Sequence, residues 1–355
     1  MLQIINGPFI AQDNYYIQHS KDGMDELHFE INVNDPVYKI IQEEDRIIET
    51  TEQQTYVVRT INAGNANAKI ICQIDLDDWK GTCYIGTRDA GTGKLTGFRT
   101  ENTAGAIMQQ IVPSGWSIVN LTPKQAVRLV EMFAPTPLEI AQQVMEAFSC
   151  SIRFHTRTKQ AEILYPSDMP VSNSYAIDTV NLRSVPQYRG RSTGMYTRIY
   201  PIGKDDITIT QVNPTHHPYI DAADPFTDRI ICKIYRDAQQ DDPTALMADA
   251  QQLVNAAATP ERSWTLDVVD LNRIDSEKWQ GMDLSLFTKL LLQDRLKGFR
   301  SYVQVVEDRV YPNFPESNSI TVATVSGSVQ RTLKYVYDQI TNPNSTFYQQ
   351  LEARR

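Results

Sequence analysis

The sequence predicts a β-rich α+β fold, and three observations lead to this prediction. Short segments in which apolar and polar residues alternate recur through the first 75 residues, and period-two alternation is typical of strands with one buried face. Longer amphipathic helical patterns occur in few places, at residues 123–133, 137–148 and 243–257. Apolar residues make up 41% of the 355 residues. This share is enough for several hydrophobic cores, so we expect roughly two to four units of domain size.

The first 90 residues predict a small antiparallel barrel or sandwich. Its strands are expected where apolar residues alternate, at residues 27–31, 47–49, 56–61 and 70–74. Turn-forming residues such as Asn34 separate them. One short helix is expected at residues 37–42, because Asp35 can cap it and Pro36 suits its first turn.

Residues 91–175 predict an inserted α+β unit. Residues 91–113 are rich in Gly, Thr and Asn, which indicates loops, and a weak strand is expected at residues 115–121. A strand pair at residues 151–155 and 160–164 is expected to close the unit.

Two amphipathic helices are predicted inside this unit. The first covers residues 123–133 and is capped by Thr122. Its apolar stripe is Ala126, Val127, Val130 and Phe133. The second covers residues 137–148 and is capped by Thr136. Its apolar stripe, with the spacing of a helix that has one buried face, is Ile140, Val144, Met145 and Phe148.

A β-hairpin is predicted within residues 179–210. Side chains alternate at residues 196–200, residues 203–206 supply turn chemistry, and residues 207–210 alternate again. Residues 176–212 are expected to return the chain to the first barrel and complete it.

The remaining residues predict a second barrel-like unit, residues 213–300, and a closing segment, residues 301–355. The second unit has a strand at residues 230–235, a long helix from Asp242-Pro243 to Ala257, and a strand at residues 263–271. The closing segment is expected to contain two strands and a C-terminal helix, at residues 302–311, 319–325 and 329–341.

Charge and cysteine content exclude several classes of protein. The net charge of −9 argues against a protein that grips nucleic acid, because such proteins need a clustered basic face. The four cysteines are far apart without a C-x-x-C pair, so we expect reduced thiols and no zinc site. The N-terminus lacks a signal-peptide pattern, and no apolar stretch approaches ~18 residues. We therefore expect synthesis in the cytoplasm and no stable membrane insertion.

The sequence shows no recognisable catalytic motif. It contains neither H-E-x-x-H nor G-x-S-x-G. Residues 86–97 include Gly-Thr-Gly-Lys, but Arg88 and Leu95 stand where a phosphate-binding loop needs Gly and Ser or Thr. We predict no enzymatic activity and no cofactor.

One histidine pair is the best candidate for a metal site. His216 and His217 lie near Asp221 and Asp224 in a proline-rich segment. Adjacent histidines in an irregular loop rarely point at the same ion, so solvated loop polarity is the better interpretation. We predict no bound metal.

A basic patch with tyrosines is the candidate interaction site. Arg forms paired hydrogen bonds with carboxylates across subunit boundaries, and an acidic chain offers many carboxylates. Tyr suits protein contacts because one end is apolar and the other polar. We prefer a subunit interface to a solvated face for Arg183, Arg189, Arg191, Arg198, Tyr196 and Tyr200.

Three short motifs carry a family resemblance. Residues 181–184 read Asn-Leu-Arg-Ser, residues 197–200 read Thr-Arg-Ile-Tyr, and residues 203–205 read Gly-Lys-Asp. Together they resemble the hub domain of bacteriophage tail proteins, which opens the tail-associated lysin or prophage tail endopeptidase family and is similar to baseplate hubs of contractile-tailed phages. The resemblance implies two related small, tail-tube-like β-barrels with inserted α+β domains.

The resemblance also implies assembly and not catalysis. We expect a structural hub in the virion tail, at the baseplate or tail tip, in which a homotrimeric ring joins a sixfold tube to a threefold spike. Expected partners are other copies of the chain, the distal tail or tube protein, a spike, lysin or tip protein, and the tape-measure protein, with DNA only in transit.

Two alternatives stay open at the level of the sequence. One is a tail endopeptidase whose active residues are not recognised. The other is a receptor- or cell-wall-binding module that presents Trp79, Trp116 and Trp279 in shallow surface grooves.

Overall fold

The computed structural model describes residues 1–86, 97–121, 123–169, 171–177, 180–237, 240–279, 281–294 and 298–324. Strands predominate in these residues, which confirms the predicted β-rich α+β class. No helix in the described ranges has both the length and the apolar character needed to cross a membrane.

Twenty-one strands and four α-helices make up the described part of the chain. The strands are β1 (Leu2–Ile4), β2 (Phe9–Ile10), β3 (Tyr15–Ser20), β4 (Glu26–Asn32), β5 (Arg46–Glu49), β6 (Gln54–Ala63), β7 (Asn67–Ile74), β8 (Phe98–Asn102), β9 (Ser117–Asn120), β10 (Arg128–Met132), β11 (Ser151–His155), β12 (Gln160–Leu164), β13 (Val171–Ile177), β14 (Gln187–Arg191), β15 (Arg198–Ile202), β16 (Ile220–Asp221), β17 (Cys232–Arg236), β18 (Glu261–Asp267), β19 (Lys289–Asp294), β20 (Phe299–Val310) and β21 (Ser319–Thr324). The helices are α1 (Ala104–Ile111), α2 (Pro137–Phe148), α3 (Pro243–Ala257) and α4 (Leu271–Ile274).

Thirteen strands form one large and mainly antiparallel sheet. Eleven of them follow the order β14-β18-β21-β20-β3-β4-β7-β6-β5-β1-β2, and β19 and β13 branch from β20. Strands that precede residue 75 form one half, and strands that follow residue 170 form the other. No closed barrel is found in the described part of the chain. The strands expected to close two barrels instead join into one sheet, because β3 pairs with β20.

Three smaller sheets flank the large one. Strands β8 and β10 form a pair, and β9, β12 and β11 form a second sheet. The third sheet has the order β16-β15-β17, with α3 packed against one face.

One hydrophobic core unites the first half of the large sheet with residues 98–165. Trp79 is fully buried there, and its ring meets Trp116 and Phe154 edge-on at centroid distances of 5.6 and 5.2 Å. Ile107 of α1 and Ile140 of α2 belong to the same cluster. The expectation that Trp79 and Trp116 lie in surface grooves is therefore wrong, because their rings fill this core.

The second half of the large sheet has a separate core. Trp264 and Leu266 of β18 pack there with Val303 and Val305 of β20. A third cluster lies under α3, where Leu246, Ala250 and Val254 contact Ile199 and Ile220.

Several predicted elements are confirmed. Helix α2 begins at Pro137 after Thr136, whose Oγ1 accepts from the Glu139 N–H while the Glu139 carboxylate accepts from the Thr136 N–H. Helix α3 runs from Pro243 to Ala257, with the Asp242 carboxylate accepting from the Thr244 N–H. Strands β9, β11, β12, β20 and β21 also lie where alternation predicted them.

Other local predictions are wrong. Residues 123–133 do not form a helix: Arg128–Met132 is strand β10, and Val127 and Phe133 are exposed, so the expected stripe is not on one face. Pairing with β8 outweighs helical periodicity there. Helix α1, which Thr103 caps, lies inside a segment predicted as loops.

Two further predicted elements, a short helix and the second strand of a hairpin, do not form. Residues 37–42 form turns and no helix. Residues 207–210 do not form the second strand of a hairpin: they contribute one isolated bridge, Ile202 to Thr208, and β15 instead pairs with β16 and β17.

The described strands within residues 176–212 do not return to the first half of the sheet. Strand β14 pairs with β18, and β13 pairs with β19. The domain boundaries stay a prediction. The helix predicted at residues 329–341 lies outside the described residues.

Candidate interaction surface

The structure divides the six predicted interface residues between two surfaces. Arg189 and Arg191 lie on β14, at one end of the large sheet. Arg198 and Tyr200 lie on β15, in the sheet that packs on α3. Arg183 and Tyr196 are on neither strand.

The outer edge of β14, with Arg189 and Arg191, is named the arginine edge. All five residues of β14 are exposed, and β18 is the one strand paired with β14 in the described part of the chain. Arg191 donates from Nε to the Thr193 hydroxyl at 2.6 Å, whereas the Arg189 side chain has no ion pair or hydrogen bond among the described residues. Unpaired backbone groups on an edge strand can receive a further strand, so this edge can bind an extended, acidic segment.

Arg183 serves the fold of its own chain. Its guanidinium donates to the Glu316 carbonyl at 2.5 Å, and its backbone N–H donates to the Asp267 carbonyl at 2.9 Å. Tyr196 is partly buried against the cluster under α3. These contacts hold the segments before and after β14 in place.

The face of the β16-β15-β17 sheet that points away from α3 is named the open sheet face. Ile199 and Ile220 point towards α3, so the alternation of strands places their neighbours on the other side. The register puts Arg198 opposite Asp221, and Tyr200 opposite Ile234, which is 62% exposed. The face therefore combines an ion pair with exposed apolar surface.

Arg198 is held rigidly on this face. Its guanidinium makes two hydrogen bonds with the Asp221 carboxylate, at 2.6 and 2.9 Å, and its Cζ lies 3.7 Å from the centroid of the Tyr219 ring. The hydrogen bond that Arg198 donates to Asp221 raises the pKa of Arg198 above its ordinary value. Since Asp221 belongs to the same chain, Arg198 presents a neutralised and oriented pair.

Sequence reasoning missed part of the open sheet face. Tyr219 contacts Tyr200 at a centroid distance of 5.4 Å and stacks on His217 at 4.8 Å. Asp221 was considered only as a metal ligand. The alternation of Tyr219 with Asp221 around a buried isoleucine was the available signal, but β16 has only two residues, too few to recognise as a strand.

The residues that were candidates for metal ligands contact other side chains instead. His217 stacks on Tyr219, and Asp221 binds Arg198. In the described ranges no three His, Cys, Asp or Glu side chains lie together as metal ligands would.

Comparison with protein families identifies one match. Residues 189–333, which include Arg189, Arg191 and the open sheet face, match the model of the prophage endopeptidase tail family. None of the curated proteins matches the sequence.

Three solved structures of tail proteins are similar to most of the chain. Prophage tail protein gp18 from Listeria monocytogenes has a TM-score of 0.62 at 10% identity, with 95% of this chain and 98% of that chain covered. The 43 kDa tail protein of prophage MuSo2 from Shewanella oneidensis has a TM-score of 0.62 at 13% identity, with 93% and 98% covered. The tail protein from Neisseria meningitidis has a TM-score of 0.61 at 8% identity, with 93% and 96% covered. The chain has the fold of these proteins, which confirms the resemblance predicted from residues 181–205.

Proposed function

We propose that this chain, which has the fold of prophage tail proteins, is a structural hub of a phage or phage-like tail. The observation that carries the proposal is the reciprocal coverage: more than nine tenths of this chain and of each of three tail proteins, two of them from prophages, correspond. A shared domain in otherwise different proteins would cover only part of each chain. The whole architecture, with both halves of the sheet, is therefore what these proteins have in common.

The proposed assembly is a homotrimeric ring at the distal end of the tail. Each chain contributes two halves of one large sheet, so three chains would present six halves to a sixfold tube and a threefold arrangement to a spike or tip protein. The arginine edge is the proposed contact surface between copies, and the open sheet face is a further proposed contact surface, between copies or with the tube. The net charge of −9 suits a channel through which DNA or the tape-measure protein passes without binding.

We propose that the hub acts without catalysis. The family name mentions an endopeptidase, but residues 189–333 contain neither H-E-x-x-H nor G-x-S-x-G. Incubation of the purified chain with bacterial peptidoglycan is expected to release no soluble fragments. Release that is lost on substitution of a single polar residue would establish the endopeptidase alternative.

The assembly is tested by the mass of the purified chain in solution. Multi-angle light scattering is expected to give about three times the chain mass of 40.4 kDa. The double variant Arg189→Glu/Arg191→Glu reverses the charge of the arginine edge and is expected to shift the mass towards the monomer. Lys69→Glu reverses an exposed charge in the first half of the sheet and should leave the trimer intact. A monomeric wild-type chain at every concentration would contradict the proposal.

A further inference from the structure

The two halves of the large sheet meet at one short seam. Strand β3 faces β20 through four residue pairs, Ser20 with Glu307, His19 with Asp308, Gln18 with Arg309 and Ile17 with Val310. Among the described strands this is the only ladder between the half before residue 75 and the half after residue 170. Beside these pairs, the ring of Tyr16 on β3 lies 5.3 Å from that of Tyr311, and Asn313 donates to the Asp13 carbonyl at 2.9 Å. The four pairs therefore supply the backbone part of the connection between the two halves.

His19 lies at the centre of the seam between two carboxylates. Its Nδ1 is 2.5 Å from Asp308 Oδ1, and its Nε2 is 2.9 Å from Glu52 Oε2. An ionised carboxylate only accepts hydrogen bonds, so both contacts are satisfied only when both ring nitrogens carry hydrogen. The geometry therefore requires the imidazolium form.

The same carboxylates connect His19 to further segments. Asp308 Oδ2 accepts from the Leu286 N–H at 3.1 Å, which fixes the segment before β19. Glu52 Oε1 lies 3.9 Å from the Arg273 guanidinium on α4. One imidazolium thus ties β3 and the turn before β6 to β20 and to segments of the second half.

The three side chains at the centre of the seam are mostly, but not completely, buried. The Asp308 side chain is 3% exposed, that of His19 18%, and that of Glu52 22%. A cavity of about 380 Å³ lies beside them. The other titratable or charged side chains that line this cavity are Asp25, Arg153, His155, Asp270, Arg273, Asp283 and Arg309.

The charges around His19 favour its proton. Burial by itself would lower the pKa of His19, but the charge and hydrogen bond of Asp308, the bond to Glu52 and the charge of Asp25 raise this pKa well above 6.5. Burial would raise the pKa of Glu52, yet the bond from His19 and the nearby arginines hold it below its usual value. Burial raises the pKa of Asp25 to about 6.

We propose that His19 is a protonation-dependent latch between the two halves of the sheet. While the imidazole ring carries both protons, it bridges Asp308 and Glu52 and holds β3 against β20. Loss of one proton leaves a ring nitrogen lone pair facing a buried carboxylate, so the four seam pairs open more often. The two halves then separate at the seam.

The direction of the pH dependence follows from these shifts. Because the pKa of His19 is raised on folding, its contribution is complete below about pH 6.5 and is lost as the pH rises through the folded pKa. The contribution of Glu52, with a lowered pKa, is present above about pH 4.5 and is lost as the pH falls through its folded pKa. Because the pKa of Asp25 is raised to about 6, its carboxylate opposes folding, and this opposing contribution grows between about pH 4 and 6. The latch is therefore closed near neutral pH and opens in alkali.

Amide hydrogen exchange across a pH series tests the latch. The protection of seam peptides that cover β3 and β20 is corrected for the intrinsic exchange rate. It is then compared with the protection of peptides that cover the β4–β7 ladder. Between pH 6.5 and a pH above the folded pKa of His19, seam protection is expected to fall relative to that ladder, because the neutral ring can no longer donate to both carboxylates. His19→Gln should lower seam protection at pH 6.5 and remove the pH dependence.

His28→Gln is the matched control. His28 has the same 18% exposure and a single carboxylate contact, Glu26 at 2.9 Å, but it lies on β4 and is absent from the seam. It should leave the pH dependence unchanged. A wild-type seam whose protection does not change with pH, or a His19→Gln seam that changes as the wild type does, would overturn the proposal.

A second measurement does not depend on the folding of a variant. Carbon-13 labelling of the five histidines allows each imidazole to be titrated by NMR. His19 is expected to titrate well above pH 6.5. A His19 that titrates at or below pH 6.5 contradicts the latch.

Discussion

Two junctions of the first half of the large sheet differ in chemistry. Towards residues 98–165 the junction is a continuous apolar core, in which Trp79, Trp116 and Phe154 meet edge-on. Towards the second half it is a seam of four residue pairs, with His19 between Asp308 and Glu52. The first junction depends on apolar area removed from water, and the second on charges that must stay ionised.

This difference in chemistry determines which parts of the chain can move relative to each other. Burial of apolar surface does not titrate, so residues 98–165 and the first half of the sheet should unfold together at any pH. A bridge of ionised groups depends on pH, and the second half keeps its own core around Trp264. The seam is therefore where the two halves are expected to separate first, at the cost of the small apolar contact of Leu164 with Leu286 and Phe287.

The largest effect is expected at the apolar junction. Phe154→Ala removes a fully buried ring that contacts both Trp79 and Trp116, and it should lower the free energy of unfolding by about 3–5 kcal/mol. Urea denaturation at pH 6 and pH 9 should give the same loss. Phe133→Ala, at a ring that is 72% exposed, should change stability by less than about 0.5 kcal/mol.

The polar seam should give a smaller loss that depends on pH. Asp308→Asn keeps the side-chain shape but removes the charge beside His19, and the expected cost near neutral pH is about 1.5–3 kcal/mol. Because the pKa of His19 is raised in the folded chain, this cost should shrink as the pH rises through that pKa. Glu26→Gln, which removes the charge beside His28, should show no such trend. If Asp308→Asn lowers the free energy of unfolding by the same amount at every pH, the seam does not differ from the apolar junction in its pH dependence, which contradicts the comparison.

An effect smaller than that at the seam is expected at the start of α2, which packs into the apolar junction. Thr136→Ala removes the capping hydroxyl that accepts from the Glu139 N–H, and it should cost about 1 kcal/mol in urea denaturation. Thr136→Ser retains a capping oxygen and should stay close to the wild type. Equal losses in both variants would show that the cap is not the cause.

The smallest effect is expected on the open sheet face. Asp221→Asn weakens an ion pair whose carboxylate is 53% exposed, so the isolated chain should lose less than about 1 kcal/mol, and less again in high salt. Asp224→Asn, at an exposed residue of the same segment, is the control for the loss of a negative charge. A loss above about 2 kcal/mol would mean that this pair belongs to the core of the fold.

The sequence predicted the elements whose own residues determine them. Thr136 marks the start of α2, Asp242 with Pro243 marks that of α3, and alternation predicted β20 and β21. The prediction failed where a partner strand decides the structure, as at Arg128–Met132, which pairs with β8. Periodicity describes one segment at a time and carries no information on its partner.

The same limit applies to the sites. Arg189, Arg191, Arg198 and Tyr200 were identified because basic and aromatic residues cluster in the sequence. The contact between His19 and Asp308 joins residues 289 positions apart and leaves no local signal. Two predicted barrels became one sheet for the same reason, since the β3–β20 pairing that joins them is as remote in sequence.

The measurement that tests the proposed hub most directly is a cryo-electron microscopy reconstruction of the purified chain at high concentration. We predict a ring of three chains around a central channel, with the arginine edge of each chain buried against a neighbouring copy. A reconstruction of single chains, or of an assembly in which the arginine edge faces solvent and no channel is present, would contradict this account.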